Sequence, residues 1–130
     1  MKRFSAACLL ALSIVSCAPM GGGTPPPQAG HVDHLVLLWL KRPGNAEDKR
    51  KLHDAAEELK QIPGLISIRH GDALPSDRDV VDDSFDVAYI TTFDSVDSLH
   101  AYDTHPVHAK LADELIRPLC RKIIVYDVKH

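Results

Sequence analysis

Cysteine and aromatic residues are scarce in this chain of 130 residues, which has three cysteines, one tryptophan, three tyrosines and three phenylalanines. Three cysteines cannot build the disulfide framework on which many small secreted domains depend. No apolar run reaches the roughly 20 residues of a membrane-spanning helix. Lysine and arginine (15) are fewer than aspartate and glutamate (18), so the basic patch that nucleic-acid binding requires is missing. We therefore expect one ordinary globular core and no nucleic-acid partner.

The N-terminus has the features of an export signal, in which basic residues precede a short apolar stretch over residues 4–15. Two processing sites compete. An ordinary signal-peptidase cut after Ala18 would place Pro19 directly behind it, which is unfavourable. The segment IVSC (14–17) instead resembles a bacterial lipobox, in which Cys17 becomes the lipidated first residue of the mature protein. We favour lipidation of Cys17 over simple secretion.

These features divide the chain into three parts: a lipoprotein signal peptide (1–16), the lipidated Cys17 with a glycine- and proline-rich tether (17–30), and a folded domain (31–130). Several acyl chains on one cysteine make a lasting membrane anchor. We therefore expect an exported protein that is lipid-anchored in the cell envelope. Because Ala18, and not an aspartate, follows the cysteine, the outer membrane is favoured in a cell that has one.

Hydrophobic periodicity in the remaining chain predicts the element order β-α-β-β-α-β. Asn45 is a suitable N-cap for the first helix, and Pro63 with Gly64 ends it. The second helix is interrupted near His105 and Pro106. The order indicates a ferredoxin-like α+β fold with two helices on one face of a four-stranded antiparallel sheet. The predicted strands are 34–41, 65–71, 85–93 and 122–128, and the predicted helices are 46–61 and 95 to about 115.

Both faces of the first and last predicted strands are apolar, although helices can cover only one face of such a sheet. The uncovered face would expose a patch of several hundred Å², which soluble monomers rarely tolerate. A two-fold homodimer with facing sheets, which is a dimeric α/β barrel, would bury it. The side chains expected to need this cover are Leu35, Leu37, Trp39, Ile124 and Tyr126.

Three stretches resemble the stress-responsive A/B barrel domain family: HLVLLWLK (34–41), LKQIPGLISI (59–68) and FDSVDSLHAYDTHPVHAKL (93–111). The resemblance extends over residues 31–128. It implies small dimeric α/β-barrel proteins, in agreement with the dimer expected from the strand pattern. Many members of the family have no assigned activity, so the resemblance leaves the function open.

The same resemblance implies candidate site residues. In members similar to plant polyketide cyclases, a tyrosine and a histidine matching Tyr102 and His108 act as an acid/base pair, and His34 matches a further polar pocket residue. Such a histidine can take a proton from an acidic carbon while a phenol stabilises the enolate oxygen. In the structural alternative, His105 caps the helix interruption and His108 is a hydrogen-bonded core histidine.

Metal and cofactor sites are not indicated. Pro106 interrupts the helical face that a His105–His108 pair would use, and the aspartates of residues 72–83 lack the spacing and glycine of a Ca²⁺ loop. Phosphate-binding glycine loops and nucleophile elbows are missing too.

Two candidate functions remain. We favour an accessory or stress protein that binds a small apolar or aromatic molecule, because an exported protein has poor access to thioester substrates. The alternative is a cofactor-free cyclase or isomerase.

Overall fold

The computed structural model describes residues 28–130, so the expected signal peptide, Cys17 and most of the tether lie outside the described residues. Its strands are β1 (Val32–Leu40), β2 (Leu65–Asp72), β3 (Val87–Phe93) and β4 (Cys120–Lys129), and its helices are α1 (Ala46–Leu59), α2 (Val96–Asp103), α3 (Pro106–Leu111), a π-helical segment (Ala112–Ile116) and α4 (Arg117–Leu119). Among these residues no helix is both long enough and apolar enough to cross a bilayer.

The four strands form one antiparallel sheet in the order β2-β3-β1-β4. This order and the intervening helices confirm the predicted ferredoxin-like α+β fold. The helices pack on the face that carries alternate residues of β1, and the strongly apolar β1 sits in the middle of the sheet. The core includes Leu38 and Leu40 from β1 and the buried face of α1, which is formed by Leu52, Ala55, Ala56 and Leu59.

Helix α1 begins where the sequence predicts it to begin. The Asn45 side chain accepts a hydrogen bond from the backbone N–H of Asp48 at 3.0 Å, as an N-cap residue does. Asp86 fixes the preceding turn, since its buried carboxylate accepts hydrogen bonds from the backbone N–H groups of Leu40 (2.8 Å) and Gly44 (2.6 Å). Asp86 therefore ties the β1–α1 connection to the start of β3.

The sheet face opposite the helices is largely apolar and has no helix over it. In β1 it carries Leu35 and Leu37, which pair across the ladder with Tyr126 and Ile124 of β4. Tyr126 is 54% exposed, whereas Leu35, Leu37 and Ile124 are half-buried. We call this surface the open face. It is the face that the alternation in β1 and β4 predicts to be without cover.

Trp39 also points to the side of the open face, but its own chain buries it. The indole N–H donates to Ser84 Oγ at 3.0 Å, the Phe85 ring packs edge-on at 6.2 Å, and Lys122 Nζ lies 4.2 Å from the ring centroid. Only 2% of Trp39 is exposed. The prediction that a partner is needed to cover Trp39 is wrong, because the β2–β3 loop folds back over the end of β1.

The last helical stretch runs further than the sequence indicates. Instead of ending near Leu115, it passes through the π-helical segment and α4 to Leu119, and β4 begins directly at Cys120. π-Helical turns close hydrogen bonds from residue i to i+5, so they widen a helix locally and often occur at functional sites. Here the wide turn faces the sheet next to the predicted site.

Candidate functional site

A cavity of about 300 Å³ lies between the helix-covered face of the sheet and the helices. Strands β1, β3 and β4 form its floor, while α1, α2, α3 and the π-helical segment form its walls. Most of the wall is apolar, and the polar groups cluster on one side. The lining residues are His34, Val36, Leu59, Tyr89, Tyr102, Asp103, His108, Ala112, Ile116, Arg117, Ile123 and Val125. The cavity thus contains all three site residues predicted from the sequence.

His34 is oriented by a carboxylate on the neighbouring strand. It lies opposite Asp127 in the β1–β4 ladder, on the same face of the sheet, and its Nδ1 is 2.6 Å from Asp127 Oδ1. A carboxylate accepts, so Nδ1–H donates and Nε2 is left for a ligand in the cavity. His34 is 7% exposed, whereas the Asp127 side chain is half exposed. The carboxylate therefore fixes the ring orientation of a nearly buried imidazole.

Tyr102 and His108 stack against each other with ring centroids 4.3 Å apart and ring planes tilted by 37°. The centroid of the His34 ring lies 6.0 Å from that of the Tyr102 ring. His108 Nδ1 is 3.1 Å from the carbonyl oxygen of Asp103. A carbonyl can only accept, so His108 donates through Nδ1–H, and in the neutral imidazole Nε2 carries the lone pair. Two imidazole rings therefore lie close to one phenol, and neither uses Nε2 in these hydrogen bonds.

The two buried tyrosines of the cavity have different roles. Burial, with a smaller contribution from the charge of Asp103, raises the pKa of Tyr102 well above its usual value. Tyr102 is therefore a neutral phenol that can donate a hydrogen bond. Burial also raises the pKa of Tyr89, but its hydroxyl already donates to the carbonyl of Leu52 at 2.5 Å. Tyr89 thus holds α1 against β3 and shapes the wall.

Helix α3 places His108 by means of its N-terminal residues. His105 Nδ1 accepts a hydrogen bond from the backbone N–H of Val107 at 3.3 Å, and Pro106 occupies the first helical turn. The capping role expected of His105 is confirmed. His108 is half-buried and lines the cavity, so it is not a core histidine sealed from solvent.

The π-helical segment contributes the far wall. Because its hydrogen bonds span five residues, Ala112 shares one face with Ile116 and Arg117, and all three line the cavity. The small side chain of Ala112 leaves room beside His108. Sequence reasoning missed these three residues and also Asp127, since only the β1–β4 register shows that Asp127 stands next to His34.

Other reactive groups lie outside this cavity. Cys120 is buried, and burial raises the pKa of its thiol to about 11, so it is an unreactive core side chain. Within residues 28–130 no three His, Cys, Asp or Glu side chains are grouped so as to hold a metal ion. The chemistry available in the cavity is therefore that of two imidazoles and one phenol in a mostly apolar wall, which Asp103 and Arg117 also line.

Comparison with curated proteins identifies a plant relative. The chain is 25% identical over 101 residues to a stress-response A/B barrel domain-containing protein of Arabidopsis thaliana. The match covers 78% of this chain and 37% of the plant protein, so this chain spans little more than a third of that relative's length.

Solved structures are similar over almost their whole lengths. A hydroxynitrile lyase from Passiflora edulis has a TM-score of 0.68 and 24% identity, covering 79% of this chain and 95% of the lyase. A protein of unknown function from a Jannaschia species, described as dimeric and ferredoxin-like, has a TM-score of 0.62 and 26% identity, covering 78% of this chain and all of that protein. The family model of the stress-responsive A/B barrel domain matches residues 32–130 of this chain. The chain therefore belongs to the stress-responsive A/B barrel domain family.

Proposed function

We propose that the domain binds a small apolar or aromatic molecule that carries a carbonyl or hydroxyl oxygen. The observation that carries this proposal is the close grouping of three polar side chains, His34, Tyr102 and His108, in a cavity whose lining is otherwise mostly apolar. Its volume of about 300 Å³ lies at the lower end of the range for small-molecule sites. Leu59, Ile116 and Val125 would contact the apolar body of the ligand, and Tyr102 would donate to its oxygen.

Filling the cavity tests the binding proposal. Ala112→Phe adds an aromatic ring to the wall beside His108, so we expect it to weaken binding of the apolar fluorescent probe N-phenyl-1-naphthylamine by about 10-fold or more, through lost contact area. The matched control is Ala109→Phe on the exposed side of α3, which should bind like the wild type. Equal affinity in all three proteins, measured by fluorescence titration, would show that the probe does not occupy this cavity.

A second candidate function is cofactor-free proton transfer within the same cavity. It is favoured by the orientation of both imidazoles: Asp127 holds His34, the Asp103 carbonyl holds His108, and both rings keep Nε2 for a ligand. His108 Nε2 would take a proton from a carbon next to a ligand carbonyl. The neutral Tyr102 hydroxyl would donate a hydrogen bond to the oxygen on which negative charge develops. The similarity to a hydroxynitrile lyase supports an enzymatic role on this fold.

We also propose that two copies pack through the open face. A single chain leaves Leu35, Leu37 and Ile124 only half covered and Tyr126 more than half exposed. A two-fold axis would bring these apolar side chains against their counterparts. The dimeric description of the similar Jannaschia protein supports the same arrangement.

The proposed location is the cell envelope, with a lipid on Cys17 and the tether up to residue 30 between anchor and domain. This proposal rests on the basic and apolar leader and on IVSC (14–17). When the full-length protein is expressed in bacteria, Cys17 should take up radiolabelled palmitate and the protein should fractionate with membranes. Cys17→Ser should lose both properties, whereas Cys120→Ser should keep them. Membrane association without label on Cys17 would contradict lipidation.

A further inference from the structure

A second cluster of ionisable groups lies where α1 packs on β2, away from the polar side of the cavity. His53 of α1 and His70 of β2 face each other with their Nδ1 atoms 2.8 Å apart. His53 Nε2 is 2.9 Å from Asp72 Oδ1, and His70 Nε2 is 2.9 Å from Glu57 Oε1. The four side chains thus form one line in the order Asp72, His53, His70, Glu57.

The two carboxylates determine which ring nitrogens carry protons. Carboxylates accept hydrogen bonds, so each Nε2 must be the N–H donor to its own carboxylate. The lone-pair positions of the two Nδ1 atoms, one on His53 and one on His70, are therefore directed into the same gap. That gap can hold one hydrogen-bonding proton, or it can hold a cation that accepts both lone pairs.

Imidazoles that ligate metals have this same outer arrangement, in which the ring N–H that faces away from the metal donates to a carboxylate. Two nitrogens bound tetrahedrally to zinc at 2.0–2.1 Å stand about 3.3 Å apart, so the rings of His53 and His70 need to separate by about half an ångström. Their side chains are 27% and 21% exposed, and this freedom permits the shift.

We propose that His53 and His70 form an exchangeable site for a borderline divalent cation such as Zn²⁺ or Ni²⁺, with water in the remaining positions. Imidazole nitrogen is a preferred ligand of both ions. The Lys49 ammonium group contacts Asp72 Oδ2 at 3.2 Å and that of Lys60 contacts Glu57 Oε2 at 2.5 Å. Each carboxylate therefore still has a separate oxygen for its imidazole, and each acts as a positioning group.

The site would connect α1 to the sheet close to the wall of the cavity. His70 packs edge-on against Tyr89, with ring centroids 6.4 Å apart. Tyr89 lines the cavity, and its hydroxyl donates a hydrogen bond to α1. A bound cation would therefore cross-link α1 to β2 next to Tyr89. It takes no part in the proposed ligand chemistry of His34, Tyr102 and His108.

Calorimetric titration of the metal-free, full-length protein with ZnCl₂ tests the site. We expect saturable binding of one Zn²⁺ per chain, together with a higher melting temperature. His53→Ala and His70→Ala should each abolish both effects, while Asp72→Asn and Glu57→Gln should weaken binding by about 10-fold to 100-fold. His100→Ala, which removes an exposed histidine of α2, is the matched control and should bind like the wild type.

Circular dichroism of each variant without metal establishes that it is folded. Binding that persists in both His53→Ala and His70→Ala would overturn the proposal, as would the lack of saturable binding by the wild type at millimolar Zn²⁺. Either outcome would assign the contact to a hydrogen-bonded imidazole pair only. Neither outcome bears on the cavity, which the Ala112→Phe variant tests separately.

Discussion

Replacement of His108 by alanine should slow the exchange of the benzylic protons of phenylacetone for solvent deuterium by about 100-fold or more, the usual contribution of a general base. The His108 ring lies closer to the Tyr102 ring than His34 does, with centroids 4.3 Å apart against 6.0 Å, and its loss removes the proposed proton acceptor. Tyr102→Phe should have a similar effect, because it deletes the donor to the developing enolate oxygen while keeping the buried ring. Proton NMR in D₂O measures the rate against a protein-free background.

Two controls separate catalysis from folding. His100→Ala removes an exposed imidazole of α2 and should exchange the benzylic protons of the ketone at the wild-type rate. His108 is half-buried and makes one hydrogen bond to the Asp103 carbonyl, so its replacement should leave the melting temperature nearly unchanged. If the wild type does not exceed the protein-free rate, or if the variants match the wild type, proton transfer is eliminated as the function and ligand binding remains.

Ile124→Asp should convert the proposed homodimer into a monomer. Ile124 pairs with Leu37 on the open face, and in a dimer the new carboxylate would be buried without a partner. A cost of several kcal/mol corresponds to a dissociation constant raised by more than about 100-fold. Sedimentation velocity at micromolar concentration should show the mass fall by half.

Val80→Asp is the matched control for this variant, because Val80 is an apolar residue of the β2–β3 loop that is 88% exposed. It adds the same charge outside the open face and should leave the dimer intact. A wild-type monomer at micromolar concentration would contradict the dimer proposal. An Ile124→Asp protein that keeps the wild-type mass would place the interface elsewhere.

Local sequence signals predict the order of elements well. The apolar stretch after Asp33 forms the central strand, Asn45 caps α1, and Pro63 with Gly64 follows its end. These features act over a few residues, so they can be read along the chain. The topology then follows, because few arrangements satisfy β-α-β-β-α-β with short connections.

Features that depend on distant residues could not be predicted in the same way. Trp39 is covered by Ser84 and Phe85, and no periodicity in β1 or in the β2–β3 loop predicts this contact. Asp127 becomes the partner of His34 only through the β1–β4 register. The resemblance to a known family did bring Tyr102, His108 and His34 together, since it carries spatial information that a single sequence does not.

The π-helical segment shows the limit of helix periodicity. The spacing of apolar residues indicates that a helix ends near Leu115, whereas the structure widens the turn and continues to Leu119. The wide turn directs Ala112 and Ile116 to the cavity. A pattern based on 3.6 residues per turn cannot reveal a change to a larger period.

The burial of Trp39 determines what intrinsic fluorescence can report. The chain has one tryptophan, and its indole is enclosed by the β2–β3 loop and Lys122 of the same subunit. Its emission spectrum is therefore set by whether that loop stays closed on the end of β1. A red shift of the emission during heating would therefore report the opening of this loop within one subunit. Separation of two intact subunits should leave the emission wavelength unchanged.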